Sequence, residues 1–265
     1  MNLIDEVAKI KQEGYSEANA QAKLCQDIII KAISQSSLNR NVTIKSGVVM
    51  RSLSGNVRRA TQDIDLDFIK YSISEESIRL FVDKLNCLNG ISLKIDAPIE
   101  ELKHQDYKGK RAHIEVSDDQ GNVLTAKVDI GVHKDLDVEQ EEYCFDVCFQ
   151  EDSASVLINS KAQMITEKLK SLMRFGTRST RYKDVFDICY LSDAVDMEQL
   201  RYCIQKYIFD DPTISVFDYP EMKKRAERIL KNNTYKKQIE HSRKNWLDLS
   251  VDEVMEKNLA FINSI

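Results

Sequence analysis

Hydrophobic residues follow two different periods along the chain, and the change of period divides it into two parts. Residues 1–37 have helical spacing, whereas residues 38 to about 150 contain most of the glycines and several runs of alternating apolar and polar residues. Strict alternation predicts half-buried strands, near 42–45, 63–69, 91–97, 111–117, 123–132 and 142–149, with helices near 47–54 and 75–88. After Ser160 the spacing is helical. We therefore predict an α+β (α/β) fold, with a mixed sheet and flanking helices at 1–152 and a helical domain at 153–265.

Composition and charge restrict the environment more than the function. The formal net charge is −5, which alone gives no argument for a nucleic-acid partner. No apolar run approaches the ~18–20 residues of a membrane span, and residues 1–21 lack the apolar centre of a signal peptide. The six cysteines include no CxxC pair and the four histidines do not cluster with them, so no zinc site is indicated. We expect a cytoplasmic protein with free, buried thiols and no membrane contact.

The strand predicted at 63–69 carries two carboxylates on one face. Asp63 and Asp65 alternate with Ile64 and Leu66, so both acids point to the same side, about 7 Å apart by strand rise. Carboxylates placed in this way repel each other unless a cation lies between them. Mg²⁺ prefers such oxygen ligands and completes its shell with water and phosphate. The alternative is an edge strand with a solvated acidic face, because so short a motif has many false positives.

A third carboxylate falls on another predicted strand. Residues 111–116 and 123–132 read as a hairpin, because the segment between them contains Asp, Gly and Asn residues that favour turns. Asp129 lies on the polar face of the second strand. If this strand is a neighbour of the strand at 63–69, three carboxylates converge, and two Mg²⁺ ions held there can clamp the attacking and leaving oxygens of a phosphoryl displacement. Taken alone, Asp129 reads as a surface acid.

A strand-to-helix turn, Lys45-Ser46-Gly47, precedes these acids in the sequence. Glycine lets the backbone approach a ligand closely, and the free N–H groups of a helix N-terminus attract phosphate. Lys45 and Arg51 add positive charge on either side. The alternative is a turn that requires a small residue for packing alone.

Together these motifs resemble the DNA polymerase beta-like nucleotidyltransferase superfamily, in which a Gly-Gly or Gly-Ser pair opens a helix before Asp-x-Asp and a later strand carboxylate. The resemblance is closer to the AbiEii-type nucleotidyltransferases, toxins of bacterial type IV toxin–antitoxin and abortive-infection systems. Their pattern is roughly K-G-G-x-x-L-R and then R-x-S-x-D-I-D-L. The matching segments here are Lys45-Ser46-Gly47-Val48-Val49-Met50-Arg51, Arg59-Ala60-Thr61-Gln62-Asp63-Ile64-Asp65-Leu66, Glu167-Lys168-Leu169 and the helix segment 183–191. One departure is Ser46, where the family has glycine.

The resemblance implies a nucleotidyltransferase-like fold and an NTP-dependent enzyme that transfers a nucleoside monophosphate to an acceptor hydroxyl. It implies Mg²⁺, with Mn²⁺ as a substitute, bound by Asp63, Asp65 and Asp129. The residues implied in nucleotide binding are Lys45, Ser46, Gly47, Arg51, Arg59, Thr61, Lys168 and Asp184, and those implied in catalysis are Asp63, Asp65, Asp129, Lys168 and Asp187. The biological implication is a toxin that modifies RNA such as tRNA in phage defence. A cognate antitoxin would act without forming a stable complex.

Lys168 and Asp187 occupy unusual positions in the helical half. Lys168 borders an apolar seam, where its side chain can reach water or a nucleotide phosphate. Asp187 lies in a segment that is apolar nearly all round; such a helix is normally buried, and a buried carboxylate is costly unless it is paired. Lys183, Lys168 or an arginine is the expected partner. A structural ion pair and a catalytic role are both open for Asp187, and we expect the helical domain to bring both residues to the cleft.

Two basic tracts in the helical half bear on the acceptor. Residues 168–183 carry six basic residues and no acid, and residues 223–237 carry a second cluster, with aromatic residues nearby. Such tracts can bind a phosphate backbone and stack bases, although they are also common as solvated helix faces. Two alternatives to an RNA-modifying enzyme remain: an aminoglycoside-type nucleotidyltransferase with a small cationic acceptor, and a catalytically degenerate nucleotide- or RNA-binding regulator.

Overall fold

A computed structural model describes residues 1–102 and 109–265 of the chain. These residues form two compact units, Met1–Asn159 and Ser160–Ile265. The boundary predicted at 152/153 differs from this division because a short strand, Ala154–Ile158, lies in the sheet of the first unit. The sequence pattern assigned that segment to the helical half.

The first unit is built on a mixed sheet that has eight strands within the described residues. The strands are β1 (Val42–Ile44), β2 (Asp63–Ile69), β3 (Ile91–Ile95), β4 (Glu100–Leu102), β5 (Gly109–Asp118), β6 (Val123–His133), β7 (Glu141–Phe145) and β8 (Ala154–Ile158). Their order is β3-β5-β6-β2-β1-β8-β7, with β4 also paired to β5. β2 runs parallel to β6, and β1 runs parallel to β8; the other pairs are antiparallel. The predicted mixed sheet is therefore confirmed.

One face of the central strands is apolar and the other carries the polar chemistry. In β2, Ile64, Leu66 and Phe68 are at most 1% exposed, while Asp63, Asp65 and Asp67 alternate with them. β6 and β5 continue both faces, because strand pairing aligns residues of the same parity. A one-residue slip in register would exchange the two faces, so burial of the apolar face fixes where the carboxylates point.

Four helices belong to the first unit: α1 (Leu3–Gln12), α2 (Glu17–Gln35), α3 (Ser46–Ser54) and α4 (Glu75–Lys84). Ser16 caps α2 by accepting a hydrogen bond from the backbone N–H of Asn19. α2 then packs on β6 and β8, and its residues 23–33 are all buried. α3 packs on β2, which brings its first turn to the strand that carries the Asp-x-Asp motif.

The second unit is helical, as the sequence pattern predicts. It contains α5 (Lys161–Phe175), α6 (Lys183–Leu191), α7 (Met197–Ile204), α8 (Tyr219–Leu230), α9 (Asn233–Ser242) and α10 (Val251–Ser264), with 3-10 turns at Gly176–Arg178 and Ser192–Ala194 and a π-turn at Gln205–Phe209. Its core includes Phe186, Leu169 and Trp246. Within the described residues, no helix of either unit is long and apolar enough to cross a membrane.

The thiols depart from expectation in one respect. All six cysteines are free, as predicted, but Cys87 and Cys144 are exposed rather than buried. Both lie at the edges of apolar runs, where period alone does not show which side of the element faces solvent.

Candidate active site

Three predicted carboxylates lie on the polar face of two neighbouring strands. β2 and β6 pair in parallel, and the register places Asp65 directly opposite Asp129 and Asp63 opposite Lys127. Paired residues of adjacent strands have side chains on the same face, with strands about 4.8 Å apart. The strand pairing on which the predicted convergence depends is therefore present.

Basic side chains neutralise two of these acids. Arg111 of β5 donates two hydrogen bonds to Asp129, from Nε to Oδ1 at 2.6 Å and from Nη2 to Oδ2 at 2.7 Å. Lys127 Nζ lies 2.8 Å from Oδ1 of Asp63. The hydrogen bonds from Arg111 to Asp129 raise the pKa of the guanidinium above its usual value. The mutual repulsion expected among the acids is thus offset within the sheet.

The strand-to-helix turn is attached directly to the carboxylate strand. The backbone N–H of Lys45 donates to the carbonyl oxygen of Asp65 at 2.8 Å, and its Nζ lies 2.9 Å from Oδ2 of Asp67. Asp67, one more acid on the same face of β2, is only 4% exposed. These two contacts hold the beginning of α3 beside Asp65.

The first turn of α3 lies next to the segment that precedes β2. Lys45 is the N-cap residue and its side chain makes no capping hydrogen bond. Gly47 lies close to Thr61, because a Cβ built at Gly47 would be 3.1 Å from Thr61 Oγ1. This glycine therefore serves the close approach of the helix to the segment before β2. An uncapped helix N-terminus favours negative groups such as phosphate.

The observed contacts of Arg51 are with another helix rather than with the strand-to-helix turn. It is 6% exposed and its Nη2 donates to Asp27 Oδ1 at 2.8 Å, while Lys23 pairs with the other oxygen at 2.8 Å. Burial opposes ionisation of Asp27, but Arg51 and Lys23 outweigh it and lower the pKa of this carboxyl. The contacts favour a structural role for Arg51, joining α3 to α2. Arg59 is likewise buried, at 4% exposure.

In the helical unit, Lys168 and Asp187 form a buried ion pair. Lys168 Nζ lies 2.7 Å from Asp187 Oδ2 and 3.2 Å from Asp184 Oδ1. Trp246 Nε1 donates to the second oxygen of Asp187 at 3.0 Å, and Arg181 Nε donates to Asp184 at 2.7 Å. Lys168 is 1% exposed and Asp187 is 0% exposed, so the lysine does not extend along the surface to water. Lys168, one of the partners expected for Asp187, is therefore a partner in the structure.

The donor set fits a divalent cation of the magnesium type. Within residues 1–102 and 109–265, no group of three or more His, Cys, Asp or Glu residues is arranged to hold a metal ion, and Asp63 and Asp129 are engaged by basic residues. Mg²⁺ nevertheless needs only one or two protein carboxylates, because it keeps several waters and binds substrate phosphates. Asp65 and Asp129, opposed in register on one face, supply such a pair.

Some of the residues that shape the site were not predicted. Arg111 could have been found, because the hairpin turn is centred near Gln120 and residues equidistant from that centre pair in the two strands, as Arg111 and Asp129 do. The pairing of Lys127 with Asp63 depends on the parallel register of β2 and β6, for which the sequence carries no local signal. Trp246 is far from Asp187 in sequence, and no spacing rule connects the two.

The chain is similar to a known protein family and to several solved structures. The family model described as nucleotidyl transferase AbiEii toxin, type IV TA system, matches residues 28–257. Among solved structures, JHP933 from Helicobacter pylori is similar at 15% identity, covering 94% of this chain and 92% of that chain with a TM-score of 0.51. An antigenic nucleotidyltransferase-like protein from Paracoccidioides brasiliensis is similar at 14% identity, covering 81% and 91% with a TM-score of 0.45.

A search of curated proteins found no significant match. At 15% identity the likeness to JHP933 concerns the fold alone, and the second likeness is too weak to add to it. The family model, in contrast, covers most of the chain, including the strand-to-helix turn and all the predicted site residues. The chain therefore belongs to the AbiEii family of nucleotidyl transferase toxins of type IV toxin–antitoxin systems, and it is a nucleotidyltransferase.

Proposed function

We propose that this nucleotidyltransferase moves a nucleoside monophosphate from an NTP to a hydroxyl of an RNA acceptor such as tRNA, with Mg²⁺ bound by carboxylates of β2 and β6. The observation that carries the proposal is the register of these strands, which sets Asp65 opposite Asp129 with the start of α3 fastened to Asp65. This arrangement supports a cation at the carboxylates and a phosphate at the start of α3.

The turn at Lys45-Ser46-Gly47 would position the triphosphate. The backbone N–H groups of Ser46 and Gly47 and the serine hydroxyl would donate to phosphate oxygens, and Lys45, whose Nζ pairs with Asp67, adds a positive charge. The departure from the family glycine at Ser46 adds a hydroxyl donor without adding a bulky side chain. Thr61 contacts the same turn through Gly47 and would fix its position relative to Asp63.

Asp65, Asp129 and Asp63 would hold Mg²⁺, with Mn²⁺ as a substitute. Bound Mg²⁺ supplies a Lewis acid that polarises the reacting phosphoryl group and neutralises its charge. Asp63 and Asp129 would then exchange part of their contact with Lys127 and Arg111 for the ion. Arg111 fixes the orientation of Asp129 through two parallel hydrogen bonds.

The transfer itself follows from position and charge. The acceptor oxygen forms a bond to the α-phosphorus as the bond to the β-phosphate oxygen breaks, and pyrophosphate leaves. Asp129 is the carboxylate assigned to receive the hydroxyl proton. One of the two Asp129 oxygens would exchange its hydrogen bond with Arg111 for this proton. Such catalysis consists mainly of positioning and electrostatic stabilisation. The role predicted for Lys168 at the phosphates stays a prediction, because its observed contacts are with Asp187 and Asp184.

Membership in the family implies an NTP substrate and a cognate antitoxin. We assign the chain to phage defence in the cytoplasm, with an antitoxin that acts without a stable complex. RNA is favoured as the acceptor because basic residues gather in the helical unit although the protein carries a net charge of −5. A polyanion must approach such a protein through local positive charge.

The test is incubation of the protein with Mg²⁺ and each α-labelled NTP in turn, with total RNA and an aminoglycoside both present as acceptors. We expect label in RNA with one preferred NTP, and none when the metal is chelated. Label on an aminoglycoside and none on RNA would support the small-molecule enzyme instead. NTP binding without any transfer would support the degenerate regulator.

A further inference from the structure

A cavity of about 300 Å³ in the helical unit is lined by four arginines, Arg174, Arg178, Arg225 and Arg228. All four belong to the second unit. Its volume is at the lower end of the range of small-molecule sites, about 300–1,000 Å³.

The chain builds this arginine cavity with a sharp turn after α5. Gly176 ends that helix with φ +56° and ψ −138°, a conformation that residues with a Cβ rarely adopt. The turn brings Arg178 beside α8, where Arg225 and Arg228 lie three positions apart and share one helix face. Gly176 packs next to Ile229 of the same helix. The convergence is thus set by the backbone.

The positive charge of the cavity is only partly balanced. Arg174 donates to Thr213 Oγ1 at 2.7 Å and lies 3.6 Å from Asp211, which pairs more closely with Lys170, at 2.6 Å. Arg225 donates to the carbonyl oxygen of Ser215 at 3.3 Å. Throughout the described part of the chain, no carboxylate forms an ion pair with Arg178, Arg225 or Arg228, and none lines the cavity. Like charges gathered in this way repel each other unless an anion joins them.

An exposed aromatic ring lies at the same cavity. Phe175 is 48% exposed and forms part of the lining. RNA recognition commonly combines arginine contacts to phosphate with stacking of unpaired bases on aromatic rings. Guanidinium groups match phosphate oxygens through two parallel hydrogen bonds. The lining therefore offers partners for both the phosphate and the base of a nucleotide in single-stranded RNA.

We propose that the arginine cavity binds a phosphate of the RNA acceptor, with the adjacent base stacked on Phe175. The site would hold the acceptor, whereas the turn at Lys45-Ser46-Gly47 holds the NTP. This inference rests on the proposed function, since it assumes an RNA acceptor. To the proposed function it adds which part of the protein would recognise RNA and which side chains would do so.

The experiment compares two double charge reversals at exposed positions. Arg178→Glu/Arg228→Glu changes the cavity, and Arg79→Glu/Lys84→Glu changes two exposed basic residues of α4, outside both basic tracts. Each variant lowers the formal net charge of −5 by four, so the long-range field is matched. RNA affinity at several salt concentrations, NTP affinity and nucleotide transfer to RNA are measured for both variants and for the wild type. Arg178→Gln/Arg228→Gln is the second cavity variant, in case the reversal disturbs folding.

We expect the cavity reversal to weaken RNA affinity by roughly tenfold or more and to flatten its log–log salt dependence by about 1–2 units. The control reversal should change RNA affinity by less than about twofold, and NTP affinity should be unchanged in both variants. Phe175→Ala should weaken RNA affinity without changing the salt dependence, because stacking carries no charge.

Several outcomes would overturn the inference. Equal weakening by the control reversal would mean a general field effect, and weakened NTP affinity would mean that the cavity takes the NTP phosphates. The wild type could transfer nucleotide to RNA while both cavity variants keep an unchanged RNA affinity. That result would contradict this inference and leave the proposed function intact. A wild-type protein that neither binds RNA nor transfers nucleotide to it would remove both.

Discussion

Asp65 and Asp129 lie directly opposite each other in the parallel strands β2 and β6. Arg111 holds both oxygens of Asp129, and Lys127 holds Asp63. The carboxylate face is therefore charge-compensated before any cation binds. A cation that binds here has to compete with these ion pairs, so we expect its affinity to depend on substrate phosphates that bring further ligands.

The first prediction concerns metal binding by Asp65. Mg²⁺ should raise the melting temperature of the wild type in the presence of NTP, because a ligand that binds only the folded state stabilises it by mass action. Asp65→Asn should lose most of this increase. Its free energy of unfolding without metal should stay within about 0.5 kcal/mol of the wild-type value. Asp83→Asn, an exposed position on α4, is the control. A large loss of stability in metal-free Asp65→Asn would make this acid structural.

The second prediction concerns the approach of Gly47 to Thr61. Gly47→Ala would place a methyl group 3.1 Å from Thr61 Oγ1, and crowding of this kind costs about 1–3 kcal/mol, more than the up to about 1 kcal/mol that alanine gains over glycine in a helix. The variant should be less stable, and Thr61→Ala in the same chain should restore part of the loss. A double-mutant cycle by denaturant unfolding measures the coupling, expected at ~0.5 kcal/mol or more. Additive effects would contradict the contact.

The third prediction concerns the buried pair of Lys168 and Asp187. A lysine bordering an apolar seam is expected to have a small effect on stability, but Lys168 is 1% exposed. Lys168→Met should therefore cost about 3–5 kcal/mol, because it leaves Asp187 as a buried, unpaired charge. Unfolding in denaturant measures the loss. Lys237→Ala, at an exposed position, should stay within about 0.5 kcal/mol.

A second variant separates charge from packing at this pair. In Lys168→Met/Asp187→Asn no charge remains at either position, and the asparagine oxygen can still accept the hydrogen bond from Trp246 Nε1, which lies 3.0 Å from Asp187. The double variant should be more stable than Lys168→Met alone. If it is no more stable, the unpaired charge is not the cause of the loss.

The fourth prediction concerns acid sensitivity at Asp118. Burial opposes ionisation of this carboxyl, but hydrogen bonds from the Asn122 side chain and from backbone N–H groups, including that of Leu3, lower its pKa to about 2. The unfolded value is near 3.9. A depressed folded pKa contributes stability that is present above about pH 4 and is lost as the pH falls toward 2. Asp118→Asn should therefore melt below the wild type at pH 7, and the difference should shrink toward pH 2; a constant difference would contradict this role.

The sequence predicted most of the elements because alternation and helical spacing report burial directly. β2 was predicted at its observed bounds, and α3 and β6 to within one residue. β8 was missed because five residues of mixed character, next to a helical stretch, gave no alternation long enough to distinguish a strand. β4 has only three residues and gives still less signal.

The site was predictable to the extent that it depends on local motifs. Asp63, Asp65 and Gly47 were found from strand parity and from the strand-to-helix turn. The burial of Arg51 against Asp27 was not predicted. Helix periodicity places a basic residue on one face of its helix but does not reveal a buried partner on another helix. The arginine cavity depends on the positive φ of Gly176, which turns Arg178 toward α8, and a single glycine in sequence does not show that direction.

The most direct measurement is the rate at which the protein transfers α-labelled nucleotide to RNA in the presence of Mg²⁺, compared between wild type, Asp65→Asn and the control Asp83→Asn. We predict that Asp65→Asn loses at least about 100-fold of the rate, as expected when an electrostatic group at the reacting phosphate is removed, while the control stays within about twofold of the wild type and all three proteins remain folded. Transfer to RNA by Asp65→Asn at the wild-type rate would contradict the account.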